Sequence, residues 1–462
     1  MPESNAEGRR IILLLDGTWN DAELDSTDTN ISRLKGLIAK TVTAGAVRSP
    51  LQRGVVSDPA SMVTTSRSEG ADNLVYYARG VGTGALANRA VGGALGSGLE
   101  DNIRKAYRFL SFHYRPGDRI YIFGFSRGSY TARSLVGYIA SAGLLRSHRC
   151  DEENERRSWD FYRTPPGERP PGDWHSFTPV VHNRDQLRIE CLALFDTVGA
   201  RGIPLEAFIR SNREYFEFHD VELSSITKVN LHALAIDEHR WPFQATVWRP
   251  PLFKNVNTVA EQVWFSGAHA DIGGGYLAID GNRPSSRRAD DIALDWMLKR
   301  IRHHCEDFPL PSRFIDRPCP QAEYFDFCRS WSRSEIHNSR RGMYLAYPKS
   351  WRAIGNSNVP HSGIYEVCTG FDRHATPLNE MIHVSAIERL WSRPDARLPA
   401  YAPENLIAVV PKLKSTYQEG SADERLFLVD WSGKVLNPDH GSDRCCANEA
   451  LNQAIKRAKE LS

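Results

Sequence analysis

Residues Arg119-Ile-Tyr-Ile-Phe-Gly-Phe-Ser126-Arg-Gly-Ser-Tyr-Thr-Ala-Arg-Ser134 run from an apolar, β-branched and aromatic stretch through G-x-S-x-G into a different periodicity. Ile120 to Phe125 reads as a buried strand. Beyond the serine, Ala132, Leu135, Val136, Ile139 and Ala140 recur at i, i+3, i+4, i+7 and i+8, which is one face of a helix. The period therefore switches from strand to helix at Ser126. Gly124 and Gly128 flank it, as a sharp turn requires where a β-carbon would meet neighbouring backbone. A bare G-x-S-x-G is weak evidence, and a serine in an ordinary βα loop is the bland alternative. The flanking periods favour a nucleophile elbow, with Ser126 Oγ exposed at the carboxyl edge of a sheet.

Two further apolar strands end in chemistry-bearing residues. Arg188 to Phe195 finishes at Asp196-Thr-Val-Gly199, and Gln262 to Phe265 at Ser266-Gly-Ala-His269-Ala-Asp271. In an open parallel sheet the carboxyl ends of all strands share one edge, so loops distant in sequence converge there. A serine is a weak nucleophile until a base takes its proton, and Ser, Asp, His is the chain order expected of such a triad. Ser126, Asp196 and His269 are the primary candidates. Asp196 could instead be a plain turn former, and His269 a loop histidine bonding a carbonyl. A rival pair is His383, which also follows an apolar segment, with Asp271 as its acid; Asp271 could otherwise brace the His269 loop. For the oxyanion, Arg127 N–H and an N–H around Gly17 or Thr18, in the loop after the first strand, are the expected donors.

Working outward, Ile11 to Leu15 is a continuous apolar run ending at Asp16, read as a buried and central parallel strand. Asp16 is expected to fix its loop by accepting hydrogen bonds; a metal-dependent hydrolase using Asp16 and Asp271 is a separate possibility. Residues 48–72 are polar and rich in Ser and Gly, and read as an exposed excursion. Gly80-Val-Gly-Thr-Gly84 lacks the G-K-[ST] of a phosphate loop, and Gly92 to Gly98 reads as a close-packed turn or a lid. Glu100 to Tyr114 has helical spacing. The charged, Pro-rich stretch 150–186 suits a surface insertion and not core. Ile292, Ala293, Trp296, Met297 and Ile301 mark an amphipathic helix on the sheet. Residues 304–375 read as a cap or insertion. The remainder, 376–462, completes or packs on the core, with a strand and helix from Met381, a hairpin at 426–435 and a charged terminal helix. The catalytic core is thereby expected within 1–303, with insertions near 48–72 and 150–186.

Composition bounds the function. Of 462 residues, 41% are hydrophobic and 25% charged, which is globular, and 58 basic against 56 acidic residues leave a net charge of +2 without a basic run. Nucleic-acid binding is not suggested. The polar amino terminus and the short run at 11–15 fit neither a signal core nor a membrane span, so synthesis in the cytoplasm is expected. Eight cysteines without C-x-x-C spacing indicate neither a zinc site nor a disulfide framework.

Six segments occurring in order resemble one family: Leu14-Leu-Asp16-Gly-Thr-Trp-Asn20, Gly80-Val-Gly-Thr-Gly84, Phe123-Gly-Phe-Ser-Arg-Gly128, Leu194-Phe-Asp-Thr-Val-Gly199, Leu234-Ala-Ile-Asp-Glu238 and Phe265-Ser-Gly-Ala-His-Ala-Asp-Ile-Gly-Gly-Gly275. It is the α/β-hydrolase domain family that includes the first family of type VI secretion lipase effectors. The likeness covers roughly residues 10–300 and returns faintly at Ile382–Arg389. It implies an α/β-hydrolase-like fold, a mostly parallel sheet with helices on both faces, and ester hydrolysis of glycerophospholipids without a cofactor. It places the family's serine, acid and base on Ser126, Asp196 and His269. It further implies a lipid or other acyl ester as substrate, peripheral membrane contact and, for an effector, export without a signal peptide, a secretion-apparatus component and an immunity protein as partners. A non-lipid ester, or a non-catalytic binding or scaffold protein that keeps the elbow for structure, are the competing readings.

Overall fold

The structure is a computed structural model. It describes residues 8–17, 29–40, 61–68, 71–79, 94–169, 176–198, 223–248, 258–276, 289–310, 329–355, 379–394, 399–419 and 426–461. Thr18 and the Gly80–Gly84 segment lie outside them.

The apolar runs became the middle of one sheet. Strand β1 (Arg10–Leu15) lies between β3 (Ala71–Ala78) and β4 (Arg119–Phe125), and β5 (Ile189–Phe195) lies beside β4. Strands β6 (Thr227–Ala235), β7 (Val259–Phe265), β8 (Glu380–His383) and β9 (Phe427–Val429) follow in spatial order. From β3 to β9 every neighbouring pair is parallel; β2 (Ser61–Ser68) runs antiparallel on the outer edge of β3. This is an α/β-hydrolase-like arrangement.

The period of two along each strand divides the core. Ile12, Leu14, Tyr121 and Phe123 face one cluster, with α1 (Asn30–Lys40) and the helix Ala289–His304. Ile11, Leu13, Ile120 and Ile122 face the other, with α2 (Ala94–His113) and α3 (Arg127–Ala142). Side chains on successive strand residues point to opposite faces, so both faces of a parallel sheet need helical cover. The expected amphipathic helix at 292–301 is the middle of the 289–304 helix, with Trp296, Met297 and Ile301 buried.

Several local expectations are corrected. Residues 61–68, within the stretch expected to be a polar excursion, form the edge strand β2, paired antiparallel with β3. The second helix begins at Ala94, so Gly96 and Gly98 lie within it and not in a turn or lid, while residues 92–93 lie outside the described residues. The stretch 150–186 is not purely surface: α4 (Glu152–Arg163) buries Trp159, Phe161 and Tyr162, with Tyr138 of α3 in ring contact with Trp159 and Tyr162. Buried Glu155 is held by Arg104 at 2.9 Å and Arg108 at 2.9 Å, which explains how a charged segment enters the core.

The last third of the chain supplies the far edge. β8 leads directly into the helix Val384–Trp391, and β9 turns back through Asp430–Gly433 to an antiparallel bridge between Val429 and Val435. The terminal helix Gly441–Leu461 follows. Among the described residues no helix is long and apolar enough to cross a membrane.

Glu380 of β8 gives this edge a pH dependence. Trp264 Nε1–H donates to its Oε1 at 2.7 Å and Gly355 N–H to its Oε2 at 3.0 Å, yet burial pushes the carboxyl up to about 7. A folded-state value above the unfolded 4.5 means the native state binds the proton more tightly, so this contribution is present below 4.5 and is lost as pH rises through 7. A shift of this size corresponds to about 3 kcal/mol. Glu380→Gln is therefore expected to flatten the fall of the urea midpoint between those pH values; a parallel fall in the variant would rule out this group.

Candidate active site

Ser126 sits at the junction of β4 and α3 with φ 57° and ψ −122°, a left-handed backbone that a non-glycine residue adopts only under constraint. The constraint is visible on both sides. A β-carbon on Gly124 would stand 2.6 Å from Ser129 Cα, and one on Gly128 would stand 2.1 Å from the Leu15 carbonyl oxygen of β1. Ser126 N–H donates to the Phe195 carbonyl at 3.1 Å and Ser129 Oγ to the same oxygen at 3.0 Å, so the elbow is tied to the end of β5.

The next residue after Phe195 is Asp196, also at positive φ (41°). Its Oδ2 accepts from His269 Nδ1 at 2.6 Å, and His269 Nε2 lies 2.8 Å from Ser126 Oγ. The three primary candidates are thus brought into one unbroken line. Burial alone would push the Asp196 carboxyl up, but the Arg352 guanidinium and the His269 hydrogen bond outweigh it and hold the carboxyl well below the usual range. An ionised carboxylate only accepts, so Nδ1 carries the imidazole proton and Nε2 is left to accept from Ser126 Oγ.

Arg352 is the participant that sequence reasoning missed. It is buried, and its Nη1 and Nη2 grip Asp196 Oδ1 and Oδ2 at 2.6 and 3.0 Å, while Nε donates to the Phe243 carbonyl at 3.1 Å. It comes from residues 329–355, within the stretch read as a cap. Ala235 N–H also donates to Asp196 Oδ1 at 2.9 Å. A single arginine in an aperiodic segment carries no local signal.

The histidine loop is braced from the end of β6. Glu238 Oε2 accepts from His269 N–H at 3.2 Å, and Asp237 Oδ2 accepts from Gly267 N–H at 2.6 Å. Burial would raise Glu238, but the Arg240 guanidinium pulls it down to about 2. Both acids lie in the Leu234–Glu238 motif, so the signal was in the sequence without a role attached. The imidazole itself lies against Phe125 and Phe243, with ring centroids 4.8 and 5.4 Å away.

The rival pair does not assemble. His383 is buried, with Nδ1 2.8 Å from Ser385 Oγ at the start of its helix and its ring between Phe265 and Trp431; burial pushes it down to about 3. Asp271 accepts from Ala268 N–H at 2.9 Å and from His337 at N–H and Nδ1, at 2.8 and 2.6 Å. It braces the His269 loop and meets no part of His383. The physical reason is strand order: β8 lies four strands from the elbow strand, and the helix after it turns His383 into the core.

Asp16 behaves as a loop anchor, accepting from Gly17 N–H at 2.8 Å, Thr29 Oγ1 at 2.7 Å and Tyr77 OH at 2.8 Å. Burial nonetheless raises its carboxyl. Gly17 N–H is therefore committed to its neighbour's carboxylate, a correction to its expected role as oxyanion donor. Its backbone still lies against the serine: an added β-carbon would be 3.2 Å from Ser126 Cβ. Arg127 N–H stands at the first position of α3, where helix amides point out of the N-terminus. Asp16 and Asp271 each have protein partners for their oxygens, and among the described residues no group of three or more His, Cys, Asp or Glu could hold a metal ion.

Among the solved structures that resemble the chain in part are three. They are the Tle1 effector bound to the VgrG spike from the type 6 secretion system (18% identity, 60% of this chain and 53% of that one, TM-score 0.32), an uncharacterized protein from Pseudomonas aeruginosa (17%, 96% and 62%, 0.36) and the apo form of Thermogutta terrifontis esterase 2 (12%, 67% and 87%, 0.30). Among curated proteins, the uncharacterized protein YEL023C of Saccharomyces cerevisiae is 31% identical over 159 residues, which are 33% of this chain and 22% of the relative. The chain thus matches about a fifth of that protein's length. The broader match is at the level of sequence family: residues 9–300, which include β1 through β7 and all three members of the Ser126 line, fit the T6SS phospholipase effector Tle1-like catalytic domain, and the chain belongs to that family.

Proposed function

We propose that the chain is a serine hydrolase of the lipase and esterase class that cleaves a carboxylic ester of a phospholipid through an acyl-enzyme. The observation that carries this reading is the continuous hydrogen-bonded line from Asp196 through His269 to Ser126 Oγ at a strained elbow. His269 Nε2 takes the Oγ proton as Oγ attacks the ester carbonyl carbon. The imidazolium that forms is held by ionised Asp196. Collapse of the tetrahedral intermediate expels the alcohol, which takes the proton from Nε2, and water then releases the acyl group by the same path in reverse. Arg127 N–H and a donor from the loop after β1 would stabilise the oxyanion. The core of residues 1–303 would need Arg352, from the cap, to complete its acid. Membership of a secretion effector family extends the reading to export by such an apparatus and to an immunity protein in the producing cell.

A fluorophosphonate probe tests it, because only an activated serine labels fast. The expected outcome is rapid labelling of the parent, none in Ser126→Ala, strong loss in His269→Ala and retained labelling in His383→Ala. A parent that stays unlabelled would favour the non-catalytic binding reading. Labelling that survived His269→Ala would remove His269 as the base. Incubation with mixed phospholipids and identification of the released products then reads the bond that is cut.

A further inference from the structure

Residues 336–355 contain no Asp or Glu, and carry Arg340, Arg341, Lys349 and Arg352. The segment is bolted down at both ends. On one side His337 binds Asp271 and Ser339 Oγ donates to Glu238 Oε1 at 2.7 Å; on the other, Ser350 N–H donates to the His239 carbonyl at 3.1 Å and Arg352 grips Asp196. Between these anchors the chain is raised into a lip. Arg340 staples its underside by donating to the Leu345 and Tyr347 carbonyls at 3.1 and 2.6 Å. Tyr344 meets Phe243 edge to face at 5.9 Å, and Phe243 in turn meets the His269 ring at 5.4 Å, so the lip is joined to His269 through Phe243.

The top of this lip is apolar and cationic together. Leu345 is 59% exposed, against 37% for Val259, the other exposed large hydrophobic residue among those described. Arg341 and Lys349 are exposed on either side of it, with Ala346 and Pro348 between. A lone surface leucine needs no explanation. A leucine held out by a clamped loop, flanked by cations in a stretch without acids and next in sequence to a tyrosine two ring contacts from the His269 imidazole, fits a surface with an anionic face and an apolar interior. We propose that residues 341–349 are the element by which this protein docks on an anionic phospholipid bilayer, placing Ser126 at the lipid surface. Leu345 enters the acyl boundary while Arg341 and Lys349 pair with headgroup phosphates.

This rests on the ester-hydrolase reading, and the test separates the two. Binding is measured on full-length Ser126→Ala, which cannot turn over lipid, by co-sedimentation with phosphatidylcholine vesicles with and without phosphatidylglycerol. The expected result is salt-sensitive binding to the anionic vesicles only. Leu345→Asp, and Arg341→Glu with Lys349→Glu, should each weaken it by about tenfold or more, at roughly 1 kcal/mol or fivefold per cation removed. In the Ser126 background the same substitutions should leave hydrolysis of soluble p-nitrophenyl butyrate unchanged. Equal vesicle binding by the variants and their parent, no binding by the parent, or retention on a soluble polyanion without vesicle binding would each overturn the proposal. Absence of p-nitrophenyl butyrate hydrolysis by the unsubstituted chain would instead count against the hydrolase reading, whatever the vesicles show.

Discussion

Ser126→Ala is expected to lower kcat on a soluble ester by a factor on the order of 10⁶, with the fold intact, as removal of a triad nucleophile does where the three groups act as a unit. The effect should fall on kcat, because Oγ bonds to substrate only as the carbonyl carbon becomes tetrahedral. His269→Ala should cost about as much, and the double variant little more. That non-additivity is the signature of a single proton path, and additive losses from the two would break the path drawn from Ser126 Oγ to Nε2. Circular dichroism and urea unfolding of Ser126→Ala supply the control, and the strain at φ 57° predicts a small gain in stability on replacing the residue by glycine.

The second large effect is expected at Arg352. Arg352→Gln removes a positive fork from a carboxylate that is fully buried, and breaking a buried pair by removing one partner costs about 3–5 kcal/mol. The sign with pH follows from Asp196. Its folded-state value is depressed, so its contribution to stability is present above the ordinary carboxylate range and is lost as pH falls through the depressed value. Without Arg352 the largest of the influences that lower the carboxyl is gone, and Asp196 should take up its proton at higher pH. The acid limb of kcat/KM should therefore move to higher pH in Arg352→Gln, and move less in Arg352→Lys, which keeps the charge without the fork. A variant that loses stability but keeps the parent's pH profile would leave Arg352 a structural residue only.

How much was legible depended on where the signal lay. Strands β1, β4, β5 and β7 show in the sequence as largely apolar runs, which is how a strand buried on both faces must look. Strands β2, β3 and β6 have no counterpart among the expected elements. β6 reads Thr-Lys-Val-Asn-Leu-His-Ala-Leu-Ala, and buries Thr227, Asn230 and His232 with polar partners such as Thr258 Oγ1 and the Thr197 amide, so its apolar run is broken. The placing of Ser126, Asp196 and His269 together followed from strand ends, a rule that depends only on parallel order. Arg352 and the Asp271–His337 pair had no such rule. They join residues 156 and 66 apart through segments without periodicity, and only the folded chain reveals them.

The sheet's order has a consequence for how the chain is made. β7 ends at Phe265 and its outer neighbour β8 begins at Glu380, 115 residues later (380 − 265). At roughly 5–20 residues per second, a ribosome leaves the β7 edge unpaired for roughly 6 to 23 s while the rest is polymerised. Its amides and carbonyls are a template for any strand nearby during that interval. Crowded, fast expression should therefore favour inclusion bodies, and slower synthesis or a chaperone that shields this edge should raise the soluble yield.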